Sequence, residues 1–139
     1  MKLDIGCGEN KQSGFSGVDI RALKNVDYIM NICNLQFPDN SIDEVYSRRC
    51  VQHIQDDNKA LNEVYRVLKS NGKFTLRVAS FTGWFYYKLG FSPSHYDVFH
   101  LYSDSKIRKK MGEIGFRDIS ISHIKTRSLS YDIKAVGIK

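Results

Sequence analysis

Hydrophobic and polar residues alternate in short runs along the chain, separated by glycines and polar turns. Four runs in the first third have the length and composition of short strands: Lys2–Ile5, Gly17–Ile20, Asp27–Ile32 and Ser41–Ser47. A fifth run, Lys73–Ala79, has Phe74, Leu76 and Val78 at alternate positions. This spacing is typical of a strand that buries one face, so five strands are predicted before residue 80.

Two other segments have helical spacing. Between about residues 56 and 70, Leu61, Val64 and Leu68 recur at intervals of three and four, and an Asn-Gly pair at 71–72 predicts the end of the helix. A second helix is predicted from Ser103, a good N-cap, to Ile114, followed by a terminating glycine.

The last part of the chain predicts two more strands, Phe116–Ile124 and Tyr131–Ile138, joined by a polar turn. Strands that alternate with helices are typical of a parallel α/β sheet, and the closing pair indicates one antiparallel strand. The expected fold is a Rossmann-like, doubly wound α/β domain that occupies residues 1–139.

Two glycines, Gly6 and Gly8, directly follow the first predicted strand. They allow a sharp turn and a close approach of the backbone to a ligand at the carboxyl ends of the strands. A dinucleotide fingerprint would need a third glycine at the position of Lys11, and no GK[ST] sequence follows for a P-loop. The alternative is a tight turn that binds no ligand.

Charge and composition narrow the function classes further. The net charge is +6, and residues 71–139 carry twelve Lys/Arg against five Asp/Glu. This basic half either attracts an anionic partner such as nucleic acid or a phosphorylated metabolite, or is a solvated surface. Three scattered cysteines predict free thiols and no zinc site, and the absence of long apolar runs predicts a cytoplasmic protein without a membrane span.

Six segments, in chain order, resemble the motifs of class I S-adenosylmethionine (SAM)-dependent methyltransferases, especially the small type 11 methyltransferases. They are Leu3–Gly8, Gly17–Ile20, Phe37–Tyr46, Gln52–Ile54 (with Gln for the family's Glu), Glu63–Lys73 and Gly115–Phe116. The resemblance implies a Rossmann-like fold, SAM as the cofactor, and transfer of its methyl group to an acceptor.

The resemblance also implies a set of cofactor-binding residues: Asp4, Gly6, Cys7, Gly8, Asp19, Ile20, Asn31, Ile32 and Ser47. By position, the glycine loop would carry the methionine part of SAM, with Asp4 supporting the loop. Asp19 would accept hydrogen bonds from the ribose hydroxyls, and Asn31 from the adenine amino group, between two isoleucines. The structural alternatives are a turn cap for Asp19, a loop former for Asn31, and core positions for the isoleucines.

The sequence departs from the family pattern at its start. It begins at the first strand, so we expect a domain that lacks the usual N-terminal helices and has a very short first crossover. SAM would then lie in an open cleft or under a partner subunit. This departure keeps a second hypothesis open, a non-catalytic SAM-binding or partner subunit with a methyltransferase fold.

Candidate acceptor-side residues come from the segments after the fourth and fifth strands. Methyl transfer from a sulfonium needs a general base only where the acceptor must lose a proton, and His53, His100 and His95 have a suitable ordinary pKa. Each has a structural or surface histidine as its alternative. The acceptor, a small metabolite or nucleic acid, is not determined by sequence.

The segment Phe81–Tyr102 contains nine of the 17 aromatic residues of the chain. It follows the fifth strand, where the family builds its acceptor pocket or lid, so it would contact the acceptor or close over the cleft. The alternatives are a hydrophobic plug over the sheet and a homodimer interface.

Overall fold

One sheet organises the computed structural model, which describes residues 1–89, 97–127 and 130–139. Within these residues it has seven strands: β1 Lys2–Ile5, β2 Ser16–Asp19, β3 Tyr28–Ile29, β4 Ile42–Arg48, β5 Leu68–Ala79, β6 Arg117–Arg127 and β7 Ser130–Ile138. Their spatial order is β3-β2-β1-β4-β5-β7-β6, parallel from β3 to β5, with β7 antiparallel to both of its neighbours. The predicted Rossmann-like α/β fold, mostly parallel with one antiparallel strand, is confirmed.

Three α-helices lie in the described residues: α1 Asp57–Val67, α2 Phe81–Lys88 and α3 Asp104–Ile114. A short 3₁₀ turn, Val51–His53, follows β4. The Ser103 side chain caps α3 by accepting from the backbone N–H of Lys106, and Gly115 ends it in the left-handed conformation. The bounds of α3 therefore agree with the sequence prediction within one residue.

Helix α1 ends three residues earlier than predicted. Leu68 leaves the helix and begins β5, opposite Ile42 of β4. Its side chain is fully buried in this extended conformation, so the apolar spacing that suggested a longer helix is satisfied by a strand. Two other elements differ from the prediction: β3 has only two of the six predicted residues, and the aromatic segment begins with a helix that was not predicted. Residues 9–15, between β1 and β2, form turns.

The two faces of the sheet differ. The covered face carries Phe74, Leu76 and Ala135, which are buried, and α1 and α3 pack on that side. The other face, called the open face below, carries exposed or half-buried side chains: Lys2, Glu44, Tyr46, Arg48, Lys73, Arg77 and Lys134. It also carries the buried polar side chains of Asp4, Thr75 and Asp132. The same strands therefore have an apolar face and a largely polar, charged face.

Candidate functional site

The glycine loop joins β1 to the turns before β2. Gly6 and Gly8 both have left-handed backbones, with φ of 68° and 54°. A Cβ on Gly6 would lie 2.4 Å from the Cβ and Sγ of Cys50, whereas the nearest atom to a Cβ on Gly8 would be a guanidinium nitrogen of Arg21 at 3.5 Å. Packing of the protein alone therefore requires glycine at position 6, and Gly8 has room beside it.

Asp4, in β1, contacts the turns that follow the glycine loop. Its side chain is buried, and its Oδ2 accepts from the backbone N–H of Gln12 at 2.7 Å. Burial raises the pKa of this carboxyl, since the loss of hydration outweighs the hydrogen bond from Gln12. Asp4 thus fixes the loop through the backbone at Gln12.

Asp19 lies at the end of β2, with only 6% of its surface exposed. Its Oδ2 accepts from the backbone N–H of Gly8 at 3.0 Å, and its Oδ1 from the backbone N–H and Nε of Arg21, each at 3.0 Å. Burial favours the protonated form, but these hydrogen bonds and the charge of Arg21 prevail, so the pKa of Asp19 is lowered. The carboxylate joins the glycine loop to β2 and is already paired with Arg21.

Arg21 was missed by the sequence analysis. It follows Asp19 by two residues, a spacing at which a side chain reaches back to a neighbouring carboxylate. The ribose contact expected of Asp19 therefore requires that SAM share this carboxylate with Arg21 or displace it.

The residues expected around the adenine have different environments. Ile20 is 66% exposed and leaves an apolar surface beside Asp19, whereas Ile32 is 5% exposed and packs in the core. Asn31 is exposed, and its Oδ1 accepts from the backbone N–H of Cys33 at 2.9 Å. Ile20 thus has the surface that an adenine wall needs, and Asn31 shapes its own turn.

Cys7 and Ser47, also predicted to contact the cofactor, point into the protein. Cys7 Sγ lies 3.4 Å from its acceptor, the carbonyl oxygen of Gly8. Ser47 Oγ is buried beside the Cys50 thiol. Burial raises the pKa of the Cys50 thiol to about 12, so Cys50 is neutral at physiological pH. Of these side chains, Cys50 lies directly against Gly6.

His53 and His100 both contact Gln52. The backbone carbonyl of Gln52 accepts from the backbone N–H of His100 at 3.3 Å, and its Oε1 from the backbone N–H of Ala79 at 2.8 Å. His53 Nδ1 lies 2.8 Å from the carbonyl oxygen of Asp97, and His100 Nε2 lies 3.0 Å from that of Gln55. Both histidines are thus held at the carboxyl ends of β4 and β5, the predicted acceptor side. His95 lies outside the described residues.

A buried carboxylate was missed on the same side. Asp132 of β7 is 0% exposed and accepts from Arg49 Nη2 at 2.7 Å and from Arg77 Nε at 2.6 Å. Arg49 directly follows β4 and has a left-handed backbone, φ 54°, which turns its side chain toward β7. Sequence spacing could not reveal this cluster, because it joins three strands that are distant along the chain.

The described part of the aromatic segment is largely solvent-facing. In α2, Phe81 is 59% and Phe85 is 50% exposed, and the Phe81 and Trp84 rings pack 5.6 Å apart. Tyr102, at the end of the segment, is buried instead and donates to Asp57. Residues 90–96, with Phe91 and Tyr96, and the side chains of Tyr86 and Tyr87 lie outside the described residues. The predicted lid, plug or dimer interface remains a prediction.

The described ranges contain no group of three or more His, Cys, Asp or Glu side chains arranged to hold a metal ion. None of their helices is long and apolar enough to span a membrane.

Comparison with known proteins gives matches that cover different fractions of the chain. Residues 19–76 match the family model described as a methyltransferase domain. Phosphoethanolamine N-methyltransferase 2 of Caenorhabditis elegans is 53% identical over 38 residues, which are 27% of this chain and 9% of that protein. A ubiquinone/menaquinone biosynthesis C-methyltransferase of Rickettsia bellii is 37% identical over 65 residues, 46% of this chain and 26% of that protein. The chain thus spans about a quarter or less of these curated relatives.

Solved structures match over almost the whole chain. A SAM-dependent methyltransferase from Thermotoga maritima superposes with a TM-score of 0.81 at 18% identity, covering 99% of this chain and 81% of that one. Haemonchus contortus phosphoethanolamine N-methyltransferase 2, in complex with SAM, gives a TM-score of 0.74 at 19% identity, covering 99% and 48%. These identities establish the shared fold. With the family match, they confirm the resemblance inferred from the six sequence motifs.

Proposed function

We propose that this chain, which resembles SAM-dependent methyltransferases in sequence and fold, binds SAM at the carboxyl ends of β1 and β2 and transfers its methyl group to an acceptor. The observation that carries the proposal is the hydrogen bond between Gly8 and Asp19. The Gly8 N–H donates to the buried carboxylate at 3.0 Å, so the loop and the end of β2 form one cradle.

The residues present fit this cofactor. Gly8 is left-handed and has room beside it, which suits a close approach of the methionine part. Asp19 is ionised and accepts hydrogen bonds, as two vicinal ribose hydroxyls require. Ile20 offers an exposed apolar side chain next to it. SAM, when bound, supplies a methyl group already activated by the sulfonium and a neutral leaving group.

The work left to the protein is positioning. Gly8 and Asp19 orient the cofactor, and the acceptor must be held in line with the methyl group and shielded from water. Where the acceptor must lose a proton, the proposal assigns the role of general base to His53 or His100, and their position beside the ends of β4 and β5 supports it. A small metabolite and nucleic acid both remain acceptor classes under this proposal.

A second candidate is a non-catalytic SAM-fold protein, and one observation favours it. Arg21 already donates to both oxygens of Asp19, at 3.0 Å and 3.4 Å. In this alternative the pair is a permanent structural contact, and no nucleoside reaches the carboxylate.

Titration calorimetry with SAM and with S-adenosylhomocysteine separates the two candidates. We expect the chain to bind both ligands, and Asp19→Ala to weaken binding by about 1–3 kcal/mol, because charge-assisted hydrogen bonds are lost. The control is Asp39→Ala, which makes the same substitution at an exposed position and should leave the affinity unchanged. Failure of the unaltered chain to bind either ligand refutes the proposal in favour of the non-catalytic candidate.

Gly8→Val gives an independent check of the cradle. A Cβ at position 8 would meet no protein atom closer than 3.5 Å, so the fold should be retained with some backbone strain, while the approach of the cofactor is blocked. Circular dichroism verifies the fold. A folded Gly8→Val variant that binds SAM normally would place the cofactor elsewhere. Gly6→Val is less informative, because its clash with Cys50 perturbs the protein itself.

A further inference from the structure

We propose that the open face of the sheet binds single-stranded nucleic acid, with cations holding the phosphates and Tyr46 stacking on a base. This goes beyond methyl transfer. It concerns a surface formed by the middle of β1, β4, β5 and β7, and it requires no cofactor.

The first observation is a row of three cations across neighbouring strands. Arg48 of β4 is paired in register with Arg77 of β5, and Arg77 with Lys134 of β7. Adjacent strands lie roughly 4.8 Å apart, so three basic side chains line up across about 10 Å. The middle one, Arg77, is ion-paired with the buried Asp132, and Arg48 and Lys134 on either side keep the row positive. Like charges on neighbouring strands repel, so this arrangement favours an external anion.

Few of the hydrogen-bond donors in this row are used within the protein. Arg48 donates one long bond of 3.3 Å to the carbonyl oxygen of Asn10. Arg77 uses its Nε for Asp132, and its two terminal nitrogens have no hydrogen bond to the described residues. Lys134 has no ion pair in the described part of the chain. Most donors of the row are therefore available to phosphate oxygens.

A second row lies four residues away along β4. Glu44 bridges Lys2 at 3.0 Å and Lys73 at 2.6 Å, so two lysines share one carboxylate and the row keeps a positive charge. Four residues of strand span roughly 13 Å, which separates the two rows by a distance that only an extended anion can bridge. The binding surface is therefore elongated.

An aromatic side chain lies between the rows. Tyr46 is half-buried, and Phe15 meets it edge to face with ring centroids 6.2 Å apart. Lys2 Nζ lies 5.6 Å from the Phe15 centroid, which continues the cationic surface. Aromatic side chains between cations are the arrangement with which proteins bind single strands, because bases stack on the rings while cations follow the backbone.

Charge chemistry distinguishes this occupant from others. An apolar layer over the face would bury several ionised side chains, at a high desolvation cost. A small phosphorylated molecule would occupy one row and leave the other unused. A membrane surface would gain from protruding apolar side chains, whereas Val136 and Ile138 of this face are half-buried and its exposed side chains are those of Lys2, Arg48 and Lys73. A flexible chain of phosphates and bases complements both rows and Tyr46.

The experiment measures fluorescence anisotropy of a labelled single-stranded 20-mer without SAM, across a range of salt concentrations. Arg48→Gln combined with Lys134→Gln should weaken binding at least tenfold near 0.1 M salt. It should also lower the slope of log K against log salt by about 1.4, since each lost contact with a single strand removes roughly 0.7. Lys109→Gln with Lys125→Gln removes the same charge from exposed positions away from the open face and should change binding less than twofold.

A base-free probe tests the role of Tyr46. Tyr46→Ser should weaken binding of the oligonucleotide about fivefold or more, because a stacking platform is lost, and leave binding of inorganic polyphosphate unchanged. Equal losses in the two double variants would overturn the proposal, since binding would then follow net charge alone. Anionic phospholipid vesicles that respond to the Arg48/Lys134 change when the oligonucleotide does not would overturn it in favour of a membrane surface. Because SAM is absent throughout, these outcomes are independent of the proposed methyl transfer.

Discussion

The covered face and the open face of the sheet are built by the same strands, yet they have opposite chemistry. On β5, Phe74 and Leu76 point to the side of α1 and α3 and are buried, whereas Lys73 and Arg77, which flank them along the strand, point to the open face and reach solvent. Parallel sheets usually bury both faces and therefore read as continuous hydrophobic runs. Here the strands alternate, so hydrophobic stabilisation is concentrated on one face and the other is free to carry charge.

The strongest test of this difference uses neighbouring residues of one strand. We expect Phe74→Ala to lower the free energy of unfolding by about 3–5 kcal/mol, because it leaves a cavity beside Phe116. Lys73→Ala, one residue away on the open face, should cost less than about 1 kcal/mol, since only an exposed ion pair with Glu44 is lost. Urea denaturation of both variants gives the two values. Similar losses would mean that both faces support the fold.

The fold could be predicted from sequence because its signals are local. The apolar spacing of α3 and its Ser103 and Gly115 ends are contained within 13 residues, and they defined that helix almost to the residue. The predicted end of α1 was wrong because an apolar residue at position 68 fits a buried helical position as well as a buried strand position. Leu68 is buried in a strand because it pairs with Ile42, which is distant along the chain.

We expect a smaller difference in stability contribution between two carboxylates that bind lysine, Asp57 on the covered side and Glu44 on the open face. Asp57 lies on the covered side, where its Oδ1 accepts from Lys110 at 2.6 Å and its Oδ2 from Tyr102, which ties α1 to α3. Burial alone would raise its pKa, but these bonds prevail and the pKa of Asp57 is lowered. For Glu44 on the open face, burial is likewise outweighed by Lys73 and Lys2, so its pKa is lowered too.

Asp57→Asn should therefore cost about 1.5–3 kcal/mol at pH 7, and Glu44→Gln less than about 1 kcal/mol. A carboxyl with a lowered folded-state pKa stabilises the fold above its unfolded pKa, near 4, and loses that contribution as the pH falls through the folded value. The deficit of Asp57→Asn should thus shrink below about pH 4. Thermal melts from pH 7 to pH 3 measure it, with 0.5 M salt abolishing only the Glu44 effect. A deficit of Asp57→Asn that stayed constant down to pH 3 would contradict this linkage.

The candidate site was only partly accessible from sequence. The glycine loop and Asp19 are close in sequence and could be singled out, but the reason for Gly6 could not, because Cys50 approaches it from 44 residues away. The open face was visible in the same alternation that defined the core. The apolar positions of β5 predict a strand. The polar residues next to them, Lys73 and Arg77, indicate that its other side is exposed.

The smallest expected effect is an increase in stability rather than a loss. Lys134 lies in register with Arg77 and has no counter-ion in the described residues, so Lys134→Gln should raise the free energy of unfolding by roughly 0.2–0.5 kcal/mol through relief of cross-strand repulsion. Salt screens this repulsion, so the gain should disappear at about 0.5 M salt, where the Debye length is shorter than the separation of most surface charges. Denaturation curves at low and high salt measure it, and Lys109→Gln is the control without a cationic neighbour across a strand. A variant that is more stable but binds the single strand more weakly would show that this lysine costs stability and is useful in binding. A loss of stability at low salt would instead assign Lys134 to the packing of β7, and would remove the electrostatic contrast between the two faces.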